Sequence, residues 1–99
     1  LDLLREYIFE LMYNASKHKL NEGMQTKAFR LTIEVDDFEL KFSHNNFSKG
    51  INLNRIRLDC AHDRKHGLSL INTFCRELYN KRMHIDKKGE ELIFKIPLN

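Results

Sequence analysis

The sequence is most informative first in what it has little of. It contains no tryptophan, one proline (Pro97) and four glycines in 99 residues, which excludes collagen-like, Pro-rich and Gly-rich linker architectures. Its two cysteines, Cys60 and Cys75, are not in C-x-x-C spacing. That excludes a disulfide scaffold and fits a reduced, cytoplasmic setting with free thiols. No apolar run approaches the roughly 18–20 residues of a membrane span. The opening LDLLREYIFE carries charges among its apolar residues and so is no signal peptide. It also lacks an initiator Met, and the chain reads as a piece of a longer protein. Asn14-Ala-Ser16 and Asn46-Phe-Ser48 match the glycosylation sequon; without a secretion signal both read as chance matches.

What is present is ordinary globular material. Hydrophobic residues at 41% and charged residues at 31% exclude a disordered chain, and 99 residues suit one small domain, 1–99. The net charge of +3 suits an anionic partner such as a nucleotide. The excess is too diffuse for a nucleic-acid interface, so a basic nucleic-acid-binding α/β domain rests on charge alone.

Periodicity supplies the organisation. Leu4, Ile8, Leu11 and Ala15 recur at helical spacing, predicting a helix over about residues 2–19 with that face buried. LNEGMQTK reads as a loop. Leu31, Ile33 and Val35, then Phe38, Leu40 and Phe42, alternate around Asp36-Asp37, predicting a hairpin with one buried face. From Asn45 to Lys65 the periodicity fails, which predicts a long loop with a short helical turn near Leu53–Leu58. A second helix is expected from Leu68 to about Lys81, with Ile71, Phe74, Cys75 and Leu78 on its buried stripe. A last hairpin follows: MHID, a turn at Lys87-Lys88-Gly89, then ELIFKIPL. The order predicts an α/β (α+β) two-layer sandwich, with helices on one face of a mixed, largely antiparallel sheet.

The chemistry concentrates in ELMYNASKH, Glu10 through His18. At 100° per residue, Glu10, Asn14 and Lys17 lie within about 60° of one another and flank the apolar face. A carboxylate that orients water, a carboxamide oxygen that ligates Mg²⁺ and a lysine for phosphate suit a metal–nucleotide complex. On this segment alone a solvated helix face with an i, i+7 Glu–Lys pairing is the commoner explanation.

The stretch resembles the Asn-bearing helix of the histidine-kinase-like (GHKL) ATPases, E-L-x-x-N-A-x-K-H, at every fixed position. Asn46-Phe47-Ser48-Lys49-Gly50-Ile51, after a strand, is similar to the family's D-x-G-x-G-I, with Asn46 for Asp and Ser48 for the first Gly. Asn45 in the Asp role is the alternative register. Lys65-His66-Gly67-Leu68-Ser69-Leu70-Ile71 resembles its G-x-G-L-x-I, with Lys65 for the first Gly, and the I-P-L ending resembles its last strand.

The resemblance covers nearly the whole chain, without the family's first helix and strand. It implies a Bergerat fold and the Mg-ATP-binding domain of a sensor histidine kinase in two-component signalling. Glu10 would be the catalytic residue, near the metal or its water, and Asn14 would hold Mg²⁺. Lys17, His18, Ser48, Gly50, Lys65, His66, Gly67 and Leu68 would line the ATP site, with Asn46 near the adenine amino group. Implied partners are a phospho-accepting histidine on a helical domain and a response regulator, with any homodimer formed through regions outside this chain. The replacements at Asn46, Ser48 and Lys65 motivate the competing expectation, a degenerate, non-catalytic module that acts by binding a protein.

Other clusters are weaker. Cys60, His62 and His66 lack a fourth ligand for structural zinc. Cys75 falls on the apolar stripe and reads as a core thiol. Arg55, Arg57 and Arg64 fall in the long loop and read by default as solvated charges, with one of them on a γ-phosphate as the alternative. His44 shares the inward parity of Leu40 and Phe42, as a residue packing on the base or as a satisfied edge histidine. His84 reads as a strand surface residue.

Overall fold

The structure is a computed structural model that describes residues 2–17, 28–47, 53 and 67–99. It is a small α+β domain: helix α1 (Asp2–Lys17), strands β1 (Leu31–Val35) and β2 (Glu39–His44), helix α2 (Gly67–Tyr79), and strands β3 (His84–Lys88) and β4 (Glu91–Pro97). The sheet runs β1-β2-β4-β3, and all three pairings are antiparallel. The expectation of a mixed sheet is therefore not met among the described strands. Both hairpins close through short turns, and short turns join only antiparallel neighbours.

Alternation decides which face is covered. Leu40, Phe42 and His44 on β2, and Leu92, Phe94 and Ile96 on β4, are buried, and the register sets Leu40 beside Ile96, Phe42 beside Phe94 and His44 beside Leu92. Side chains of one parity on paired strands share a face. The helices cover that face, α1 packing on β2, α2 on β4, and the two on each other. The core of α1 is Tyr7, Leu11 and Ala15, with Leu4 and Ile8 half-buried. Its buried stripe is thus rotated toward Tyr7 from the one the aliphatic pattern alone predicts.

Several expectations change at the margins. Phe38 sits in the β1–β2 turn and is 68% exposed, while Ile33 (38%) and Val35 (48%) on the edge strand are also exposed. No helix packs over β1 among the described residues, so alternation there does not become burial. On α2 the buried residues are Ser69, Ile71, Asn72 and Cys75, with Phe74 half-buried and Leu78 exposed. Asn72 goes inside because its Oδ1 accepts the Met83 backbone N–H at 3.0 Å, fixing the chain as it leaves the helix. The helix itself stops at Asn80, whose φ of 54° is a left-handed conformation that Asn tolerates well. Strand β3 runs through Lys87 and Lys88, so the second turn is Gly89-Glu90 rather than Lys87-Lys88-Gly89. Gly89 at φ 61° sits at the first central position, where a residue with a side chain would be strained.

The first turn is built by Asp36. Its Oδ1 accepts backbone N–H groups from Phe38 (2.7 Å) and Glu39 (2.8 Å), while its own N–H donates to Glu39 O. Those bonds, Glu39 first, hold the carboxyl below its ordinary value of 3.8. A depressed native pKa adds stability above the unfolded value, and that stability is lost as pH falls through the native one. Thermal melts should therefore find Asp36→Ala less stable than wild type at pH 7, with the gap closing toward about pH 2. A gap that is constant across that range would assign the turn's stability to something other than the carboxylate.

Candidate functional site

The polar residues expected to bind lie along the flank of α1 that faces α2 and the end of β2. Glu10 is half-buried. Its carboxylate occupies the space into which a Cβ on Gly67 would project, so a side chain at position 67 would overlap it. Gly67 is the first residue of α2, and the first turn of α2 contains no acid of its own. A carboxylate from the neighbouring helix thus stands at a helix N-terminus, where backbone N–H groups and the helix dipole favour an anion. What a side chain here would meet is the far end of the flexible Glu10 side chain, which would have to swing aside; the φ of Gly67 is not left-handed and imposes no strain of its own.

One turn further along α1, Asn14 is half-buried, and its Nδ2 is buried with no hydrogen-bond partner. Its neighbour Ala15 has a carbonyl in the last turn of the helix, among the four that find no donor within it. Asn46 supplies the missing donor: Asn46 Nδ2 donates to Ala15 O at 2.5 Å. That bond fixes which way the amide points, and it leaves Asn46 Oδ1 buried and unpartnered. The Asn46 backbone N–H donates in turn to His44 Nδ1 at 3.0 Å, so that ring nitrogen carries no proton. His44 is itself buried, stacked on Phe94 with centroids 5.9 Å apart and in edge contact with Phe42 and Phe47. It is a packed, hydrogen-bonded histidine that holds the chain where it leaves β2.

The two candidate registers differ in the structure. Asn45 spends its whole amide on the segment before β1, with Oδ1 accepting the Arg30 N–H at 2.8 Å and Nδ2 donating to Ala28 O at 2.7 Å. Asn46 keeps one buried acceptor in reserve. An Asp at position 46 would turn a carboxylate oxygen toward the Ala15 carbonyl and lose that bond. The asparagine is therefore the better fit to this backbone.

Leu68 is half-buried and packs against the core rather than lining an open face. Lys17 closes α1, its side chain lying outside the described residues. His18, Ser48, Gly50, Lys65 and His66 lie outside them as well, as do Cys60, His62, Arg55, Arg57 and Arg64. Among the described residues no group of three His, Cys, Asp or Glu side chains could hold a metal ion. Asn14 would thus be a partial ligand, completed by waters and by a phosphate if Mg²⁺ binds, with Glu10 near the metal or its water. No helix among the described residues is long and apolar enough to cross a membrane.

Cys75 and Tyr7 form a separate, inert pair in the core. Burial pushes the Tyr7 hydroxyl far up, with the adjacent Cys75 adding to the effect, and burial pushes the thiol up too. Both are neutral, and Cys75 Sγ also makes a long contact, 3.8 Å, to Pro97 O. This is a packing role, not a nucleophile's.

Sequence reasoning missed the two structural amides, Asn45 and Asn72. Each follows a strand or lies on a helix flank, where only the path of a distant segment reveals the need for it. Comparison with protein-family models, curated proteins and solved structures finds no match.

The contact between Glu10 and Gly67 generates a prediction. Gly67→Ala should displace the Glu10 carboxylate, the far end of a flexible side chain, and destabilise the domain by at most about 1 kcal/mol. Most of that cost should vanish in a Glu10→Ala background, measured as coupling in a urea-unfolding double-mutant cycle. Additive effects would mean that the two residues do not share this space.

Proposed function

We propose that this domain binds Mg-ATP in the manner of the histidine-kinase-like ATPases and serves as the ATP-binding domain of a sensor histidine kinase-like protein. One observation carries the proposal: the buried Asn46 Oδ1 has no partner while its Nδ2 is held on Ala15 O. A buried acceptor without a donor costs about 1–3 kcal/mol, and an exocyclic amino group such as that of adenine would recover it. Asn14 offers a second open position, with Mg²⁺ on its carboxamide oxygen and a phosphate oxygen on the orphaned Nδ2. The N-terminus of α2 at Gly67 provides backbone donors for phosphate. In this reading Glu10 orients the attacking group near the metal. The γ-phosphoryl passes to a histidine on a separate helical domain, and catalysis is positioning and charge neutralisation. The Bergerat arrangement belongs to this proposal; the α+β class with two helices on a four-stranded antiparallel sheet is its supporting frame.

A specific observation favours a second reading, a non-catalytic module that works through protein binding. Glu10's own carboxylate already lies beside Gly67, at the start of α2. If it stays there, it repels a phosphate.

Isothermal titration calorimetry of Mg-ATP into the protein separates the two. The proposal expects Mg²⁺-dependent heat, its loss in Asn14→Ala, and equal or tighter nucleotide binding in Glu10→Gln, where the competing charge is gone. No heat at millimolar nucleotide in wild type and in Glu10→Gln alike would sink the nucleotide reading and leave the module.

A further inference from the structure

The two edges of the sheet are not treated alike. Edge strands expose unpaired backbone groups, and natural sheets commonly guard them with charge, lysine above all. Edge strand β3, His84-Ile-Asp-Lys-Lys88, is guarded in that way by Asp86, Lys87 and Lys88. Edge strand β1, Leu31-Thr-Ile-Glu-Val35, carries one charge, Glu34. Four of the molecule's exposed large hydrophobic residues cluster on and around it: Phe29, Ile33, Val35 and Phe38. Among the described residues β1 pairs only with β2.

The direction of its backbone groups follows from three bonds. Arg30 uses both its N–H, to Asn45 Oδ1, and its C=O, from the Asn45 N–H, on the β2 side. The Asp36 N–H also turns to that side, to Glu39 O. In an antiparallel pair, alternate residues face the partner strand. Thr32 and Glu34 therefore face β2, and the N–H and C=O groups of Leu31, Ile33 and Val35 all point to the open edge.

We propose that this edge is a self-pairing interface, where β1 of a second copy of the chain adds antiparallel about a two-fold axis at Ile33. In that register Ile33 meets Ile33 of the second copy, and Leu31 meets Val35. These are the residues whose backbone groups meet no partner among the described residues, so they exchange six hydrogen bonds across the axis. Their side chains project from the helix side, where no described helix packs over β1; Ile33 and Val35 are exposed there, while Leu31 is half-buried against the core. On the other face Thr32 stands opposite Glu34, and Arg30 opposite Asp36, so no like charges meet and two opposite-charge pairs form. Arg30 is 60% exposed, with long contacts of 3.5 and 3.8 Å to Glu90 and Glu91, and Asp36 lies on the surface, so both can reach across. The symmetry of the strand's own sequence selects a second copy over an unrelated strand. The inference stands independently of nucleotide binding.

Sedimentation velocity across micromolar to millimolar protein tests it, with circular dichroism to show that each variant folds. Wild type should form a concentration-dependent dimer. Ile33→Pro removes only an N–H that faces outward, so it should keep the fold and abolish the dimer. Thr32→Glu sets two glutamates against Glu34 of the second copy and should weaken association roughly 2- to 30-fold; Thr32→Lys should strengthen it by a similar factor. Three results would overturn the proposal: a monomer at every concentration, a dimer indifferent to the Thr32 charge series, or slow hydrogen exchange at Leu31, Ile33 and Val35 in the monomer. The last would mean that another strand of the chain already occupies the edge.

Discussion

The hydrogen bond from Asn46 Nδ2 to Ala15 O is the constraint on which the candidate site depends. A helix end leaves carbonyls without partners, and burying one unpaired is costly. Here the carbonyl is satisfied by a side chain that arrives from the end of β2, 31 residues away in sequence. The same bond therefore docks α1 on the sheet and sets the orientation of the amide. With Nδ2 committed, Oδ1 has to face away from the helix, and it ends buried without a donor. The backbone N–H of the same residue, held by His44, removes the remaining freedom. Stability and site geometry are thus produced by one short chain of contacts running from Phe94 through His44 and Asn46 to Ala15.

A second consequence concerns charge. The flank of α1 that borders α2 presents Glu10, Asn14 and, through Ala15, Asn46 in succession. The apolar residues Tyr7, Leu11 and Ala15 beside it hold the helix down. At one end of this row a carboxylate lies beside the first residue of α2; at the other stand a buried donor and a buried acceptor without a partner among the described residues. Folding alone gains nothing from leaving those groups open. A ligand presenting a donor at one end and anionic oxygens along the row would complete them, and to reach α2 it would have to displace or bridge Glu10 through a cation. That requirement is what motivates the proposal of a magnesium–nucleotide complex.

Much of this frame was legible in the residues. Helical spacing located α1 to within two residues at its end, and alternation located four strands and the pairing of each hairpin. The polar set Glu10/Asn14 was read correctly as a flank of the buried face. Burial at the margins was not legible, because a pattern gives the face of an element and not what lies above it. Ile33 and Val35 alternate as faithfully as Phe42, yet no described helix reaches them. Leu78 keeps the helical spacing of Ile71 and Cys75 and is still exposed. The choice between Asn45 and Asn46 was likewise open, since it depends on where Ala28, Arg30 and Ala15 lie in space. Gly67 was expected at a phosphate site for its backbone; that Glu10 fills its missing side-chain volume follows only from helix packing.

The most direct test is the side-chain amide of Asn46 itself, followed by ¹⁵N–¹H NMR in the free protein and during titration with Mg-ATP. Slow exchange of its Nδ2 protons is expected in the free protein, as for a buried donor on a helix carbonyl. On adding nucleotide, the Asn46 and Asn14 amides should shift together, while the Asn45 amide, spent on Ala28 and Arg30, stays in place. Rapid exchange at Asn46, or a titration that leaves both Asn46 and Asn14 unmoved, would contradict the account.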